Sequence, residues 1–190
     1  MIDPTWAIKL KPMVDKDLHM RNVLSERGIL NDAYHPEMEK VHLANARSLM
    51  KLIDKMSFPV LSNAGPEGVR SSWLIIHHAI SLPHFMKDCL IQMRLAAADK
   101  DYPLDLLAYT EDRVAYFEGR PQLYGTSFDW IEGELKPTPI EDPEKLDARR
   151  KSLGLPPFKT EHPGDGRPPK EPELKALAFS EWLKRVGWRA

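Results

Sequence analysis

The chain has 190 residues, 42% of them hydrophobic, enough for one sizeable core without disulfides or structural metals. Lysine and arginine number 27 against 28 acidic residues, so the chain lacks the basic excess that nucleic-acid binders use for phosphate contacts. The single cysteine, Cys89, excludes an intrachain disulfide.

Cys89 sits beside Leu90 and Ile91 and reads as a buried, inert thiol in a reducing compartment. Residues 1–16 mix charges with apolar residues and lack the apolar stretch of a signal peptide. The most apolar run, residues 73–80, holds two histidines and is too short to span a bilayer. A cytoplasmic protein with no membrane and no nucleic-acid role is expected.

In chain order, residues 13–28 read as a first helix marked by Leu18, Val23 and Leu24, with Gly28 as its stop. Pro36 opens a long helix to about residue 57, because Met38, Val41, Ala46, Leu49, Ile53 and Met56 recur at three- and four-residue steps. Residues 62–68 read as a polar loop, and Pro66 or Glu67 opens the next helix through Val69, Trp73, Ile76 and Ile80. Pro83 opens another to about Ala98, with Ser81 as candidate cap, and Pro103 opens one more, closed by Gly119. Residues 122–140 alternate aromatic and β-branched residues with Gly125, Gly133, Pro137 and Pro139, which suggests an extended segment or small hairpin. Residues 144–153 read as a short helix ended by Gly154.

Nine of the 17 prolines fall within residues 136–172, so a Pro-rich linker is expected at 156–170. Residues 171–190 carry a final helix whose apolar stripe, Leu174, Leu177, Ala178, Trp182 and Val186, must dock on the chain or on a partner. The expected architecture is mostly α: an antiparallel array of about five helices in residues 1–155, a small β segment, and a C-terminal helix after the linker.

Four groups of residues could carry chemistry. His77 and His78 are adjacent, and adjacent helical residues point about 100° apart, which disfavours both as ligands of one ion. Either could act as a general base. Glu39-x-x-His42 has the spacing of di-iron carboxylate bundles, but those need a second such pair, and the sequence holds none. No metal and no cofactor are expected. Asp112-Arg113 sits near a helix end with Tyr109 and Tyr116, and Arg113 has the planar fork that suits phosphate or carboxylate. Gln122-Leu123-Tyr124-Gly125-Thr126 follows, in which Gly125 permits a close backbone approach and Thr126 supplies a hydroxyl. There is no glycine-rich phosphate loop, paired-cysteine zinc pattern or Gly-x-Ser-x-Gly elbow.

These residues, with Val41-x-x-x-Asn45, Phe58-Pro59, Gly65, Trp73 and Asp147-x-Arg149-Arg150, resemble the pattern of the DUF6624 family of bacterial proteins over residues 36–158. The chain departs from that pattern at His42, Ser57-Phe58, His77 and Ser127. The resemblance groups Asn45, His78, Asp112, Arg113, Gln122, Tyr124 and Thr126 as one expected site. His78 and Asp112 would be its catalytic pair. Asn45, Arg113, Gln122, Tyr124 and Thr126 would bind an anionic small molecule for hydrolysis or group transfer. The competing expectation is a non-enzymatic module that docks a protein partner through the C-terminal helix.

Overall fold

The computed structural model describes residues 1–32, 34–160 and 168–190. Of the expected linker, 161–167 lie outside the described residues. The helices are α1 (Thr5–Glu26), α2 (Pro36–Met56), α3 (Leu61–His78), α4 (Pro83–Ala98), α5 (Leu104–Glu118), α6 (Leu146–Ser152) and α7 (Pro172–Val186). Strands β1 (Phe128–Ile131) and β2 (Glu134–Pro137) form the sheet. The fold is mostly α, as the periodicity suggests. Among the described residues, no helix is long and apolar enough to cross a membrane. The chain divides into two compact units, Met1–Val23 with His35–Leu107 and Leu24–Tyr34 with Ala108–Ala190.

In the first unit, proline sets the helix starts. Pro36 and Pro83 occupy first-turn positions of α2 and α4, where the missing N–H costs nothing. Leu82, not Ser81, occupies the N-cap of α4 and makes no capping bond. The Ser81 hydroxyl donates instead to Glu39 on α2 at 2.6 Å. Helix α1 begins eight residues earlier than the apolar marks suggest and carries Pro12 in its interior. Its extra turns are held from outside: the Asp3 carboxylate accepts from the Thr5 N–H, and Trp6 and Leu10 are fully buried. Helix α3 also starts early, with a turn at residues 61–64 before a break at Gly65, whose φ of 68° suits a residue without a Cβ. Pro66 then opens the main helical run, as expected.

Side-chain ties fix the directions of these helices. Asp3 N–H donates to the Asn63 carbonyl at 2.8 Å, and Trp6 lies against Gly68. His78, at the other end of α3, meets Asp17 at 3.0 Å. Helix α1 therefore runs parallel to α3. The Asn45 amide on α2 donates to the Met13 carbonyl at 2.9 Å, and His42, earlier on α2, lies 3.3 Å from Asp17, later on α1. Helix α2 is therefore antiparallel to both. Asp101, after α4, accepts from the Ser62 N–H and hydroxyl at the start of α3, so α3 and α4 also oppose.

In the second unit, β1 and β2 pair antiparallel around Glu132-Gly133. Both turn residues have positive φ, 53° and 80°, the requirement of a two-residue turn that follows the sheet twist. Asp129 on β1 accepts from the Tyr116 hydroxyl on α5 and from Lys175 on α7 at 2.8 Å. Trp182, Leu183 and Trp188 are buried, with Trp182 and Trp188 beside Phe117 and Trp182 against Tyr34. The apolar stripe of α7 thus docks partly within its own unit, while Leu174 and Leu177 remain exposed.

The approach of α1 to α3 rests on a missing side chain. A Cβ at Gly68 would lie 2.9 Å from Ala64 Cβ and 3.1 Å from Trp6 Cβ. Gly68→Val is expected to cost about 1–3 kcal/mol through overpacking, measured as a fall in the urea midpoint at unchanged slope. An unchanged midpoint would show that α1 can shift without penalty.

Candidate functional site

The seven residues singled out by the resemblance fall into the two units. Asn45 and His78 belong to the first, and Asp112, Arg113, Gln122, Tyr124 and Thr126 to the second.

In the first unit, His78 joins a cluster centred on a buried carboxylate. Asp17 is 1% exposed. Its oxygens lie 3.1 and 3.0 Å from His78 Nδ1, and one lies 3.3 Å from His42 Nε2. The two imidazole centroids are 4.9 Å apart. Each member comes from a different helix: Asp17 from α1, His42 from α2 and His78 from the end of α3. Asn45 lies one turn beyond His42 and ties α2 to the α1 backbone four residues before Asp17. Its amide therefore positions the cluster from beside it. His77 turns elsewhere and stacks on Trp73 at 4.8 Å. The indole N–H of Trp73 in turn donates to the Leu106 carbonyl.

Burial by itself raises the Asp17 carboxyl. The hydrogen bond from His78 and the close approach of His42, together with their charges, outweigh that and hold it well below the usual carboxylate range. An ionised group this deep in a core needs such partners, since an unpaired charge there is very costly. Among the described residues, Asp17, His42 and His78 are grouped closely enough to hold one metal ion, with one ligand atom from each lying within 4.8 Å of the others.

Neither Asp17 nor His42 was among the seven. A signal for Asp17 exists in the sequence: Leu10, Asp17 and Leu24 are seven residues apart and all buried, so a carboxylate occupies the apolar stripe of α1. The spacing is hidden when the helix is started at Met13. His42 sits between Val41 and Asn45 on the buried face of α2.

In the second unit, Asp112 is fully buried and organises the loop after α5. One carboxylate oxygen accepts from the N–H groups of Leu123 and Tyr124, at 2.7 and 3.0 Å. The other accepts from the N–H and hydroxyl of Thr126, at 2.9 and 2.8 Å. Burial pushes the Asp112 carboxyl up, and the hydrogen bonds from Thr126, Tyr124 and Leu123 pull against that without reversing it. The Leu123, Tyr124 and Thr126 groups that meet its oxygens are all donors, so the ionised form is the one the loop is shaped around.

Gln122 is equally committed. Its amide donates to the Ser127 and Thr138 carbonyls, and its oxygen accepts from the Ser127 N–H. Arg149 and Arg150 donate to the Leu123 and Tyr124 carbonyls. Gly125 has φ 67°, and a Cβ there would meet the Phe158 ring at 2.7 Å, so this is the close approach the sequence suggests. Tyr124 is half-buried; burial, then the charge and hydrogen bond of Glu111, push its hydroxyl up to about 12. The Arg113 guanidinium lies over the Phe117 ring at 5.4 Å. Cys89 is buried, and burial, then the charge of Asp88, push its thiol up, in keeping with an inert group.

Removing the Asp112 carboxylate strands several backbone donors at once. Asp112→Ala is expected to cost about 3–5 kcal/mol. Asp112→Asn should lose nearly as much, because its amide would turn donors toward donors. Guanidinium denaturation checks both, and a loss below about 1 kcal/mol in either would contradict the hydrogen-bond assignment.

No curated protein and no solved structure matches the chain. One family model does, described as a family of unknown function, DUF6624, over residues 4–162. The match takes in α1 with Asp17, α2 with His42, α3 with His78, and the loop built on Asp112. The chain belongs to the DUF6624 family.

Proposed function

We propose that the chain is an enzyme of hydrolase or group-transfer type, acting on a small anionic molecule, with its working centre at Asp17, His42 and His78. One observation carries the reading: three ionisable side chains from three helices converge on one another around a buried carboxylate. Stability alone gives little reason for that arrangement, since buried ionic groups are often replaceable by apolar ones without loss. Function gives a better one, because perturbed, clustered ionisable groups concentrate at active sites.

Hydrolysis and group transfer need two things from a protein: a group that can take a proton from the nucleophile, and polar donors opposite the charge that develops on the substrate. One carboxylate and two imidazoles offer both kinds. Asp17 fixes the orientation of the rings, and His78, whose side chain is 16% exposed against 8% for His42, is the member nearest solvent. In the second unit both Asp112 oxygens are occupied in shaping the loop that carries Tyr124 and Thr126, so Asp112 has a structural part there.

The alternative, partner docking through the C-terminal helix, has less to stand on. Trp182, Leu183 and Trp188 are already buried within the chain, which leaves Leu174 and Leu177 as the exposed large apolar residues of that helix.

The test is a panel of chromogenic phosphate esters, carboxylic esters and amides. Turnover of at least one class is expected, falling by about 10²- to 10⁴-fold in His78→Gln while circular dichroism stays native. Turnover equal in wild type and His78→Gln, or no turnover of any class, contradicts the reading.

A further inference from the structure

We infer that Asp17, His42 and His78 are the protein ligands of one divalent transition-metal ion. The inference deepens the enzymatic reading above and rests on it for its catalytic part. The geometry comes first. An ion bound about 2.0–2.2 Å from nitrogen and oxygen ligands holds neighbouring ligand atoms about 3.0–3.5 Å apart. His78 Nδ1 and His42 Nε2 stand 3.0 and 3.3 Å from Asp17 oxygen. All three ligand atoms lie within 4.8 Å of one another, close enough to be shared by one ion.

The donor set selects the ion. Two imidazole nitrogens and one carboxylate oxygen suit zinc, iron(II), cobalt or manganese, and two histidines with one carboxylate are the recurring ligand set of mononuclear sites with open positions. Magnesium and calcium favour all-oxygen cages. Charge fits as well: a doubly positive ion with one carboxylate and two neutral imidazoles compensates the ionised Asp17 in the core and leaves one positive charge for a bound hydroxide or an anionic substrate.

The frame is rigid. Each ligand stands on a separate helix, and the Asn45 amide locks α2 to α1 one turn from His42, the kind of support that keeps ligands in place. Three protein ligands leave coordination positions open, as catalytic sites do and closed structural sites do not. The partial exposure of His78 marks the side from which water or substrate would reach the ion. An ion of this kind lowers the pKa of a bound water to about 7, which supplies a nucleophile for the reactions proposed above.

The test uses the full chain, stripped by a chelator and dialysed. Titration with Zn²⁺, Mn²⁺ or Co²⁺ is expected to show one ion per chain by calorimetry and elemental analysis, with a raised melting temperature, while Mg²⁺ binds far more weakly. The Co²⁺ form of the wild type is expected to show paramagnetically shifted imidazole resonances from two histidines, a readout that needs no variant to fold. Asp17→Asn and His42→Ala should weaken binding by more than the roughly 10- to 100-fold that loss of an outer partner costs. Absence of binding by all three ions, shifted resonances from fewer than two histidines, or binding unchanged in both variants overturns the site. Stoichiometric binding with no turnover of any panel substrate would overturn the enzymatic reading and leave the site standing. Turnover lost in His78→Gln but equal with and without metal would overturn the site's catalytic part and leave the reading.

Discussion

A carboxylate buried at the meeting of three helices is the constraint around which the first unit is arranged. Asp17 is 1% exposed, and an ionised side chain at that depth is tolerated only if partners reach it. His42 and His78 do so, and the requirement propagates outward. Helix α2 must run antiparallel to α1 for His42 to meet Asp17 while Asn45 meets Met13. Helix α3 must run parallel to α1, so that His78 arrives at Asp17 while Gly68 admits Trp6. The polar centre and the apolar packing therefore specify the same register, the agreement between levels that marks a well-determined fold.

The second unit solves the same problem with different partners. Asp112 is also buried, yet its four main donors come from one short loop: three backbone N–H groups and the Thr126 hydroxyl. Side chains answer the carboxylate in one unit, and backbone answers it in the other. The consequences differ in kind. A carboxylate met by imidazoles brings together groups that can exchange protons or bind an ion. A carboxylate met by backbone amides gives a fixed loop, with Gln122, Arg149 and Arg150 completing its hydrogen bonds.

Much of the architecture is legible in the sequence, for identifiable reasons. Pro36, Pro83 and Pro172 lie at the helix starts because their fixed φ suits a first turn and their missing N–H goes unneeded there. The two-residue turn at Glu132-Gly133 follows from glycine between strand-forming residues. Helix α1 is harder to read. Pro12 argues against a helix there, and the burial of Trp6 becomes evident only when α3 supplies a glycine opposite it. Ser81 has the character of a cap, but Glu39, forty-two positions away, takes its hydroxyl. The site divides similarly. Family pattern picks out His78, Asn45 and the Asp112 loop, but what Asp112 holds is invisible in sequence, since backbone N–H groups carry no side-chain signature. Asp17 is legible as a charge on an apolar stripe once the true start of α1 is known.

The proposed function depends on Asp17 holding both imidazoles at once. The most direct measurement is a two-bond nitrogen–proton correlation spectrum of ¹⁵N-histidine-labelled protein, stripped of metal by a chelator and recorded for the wild type and for Asp17→Asn. The account predicts that Nδ1 of His78 and Nε2 of His42 both carry the shift of a nitrogen engaged with the carboxylate, and that both move together in the variant. Histidine spectra that do not change when the carboxylate becomes an amide would contradict it.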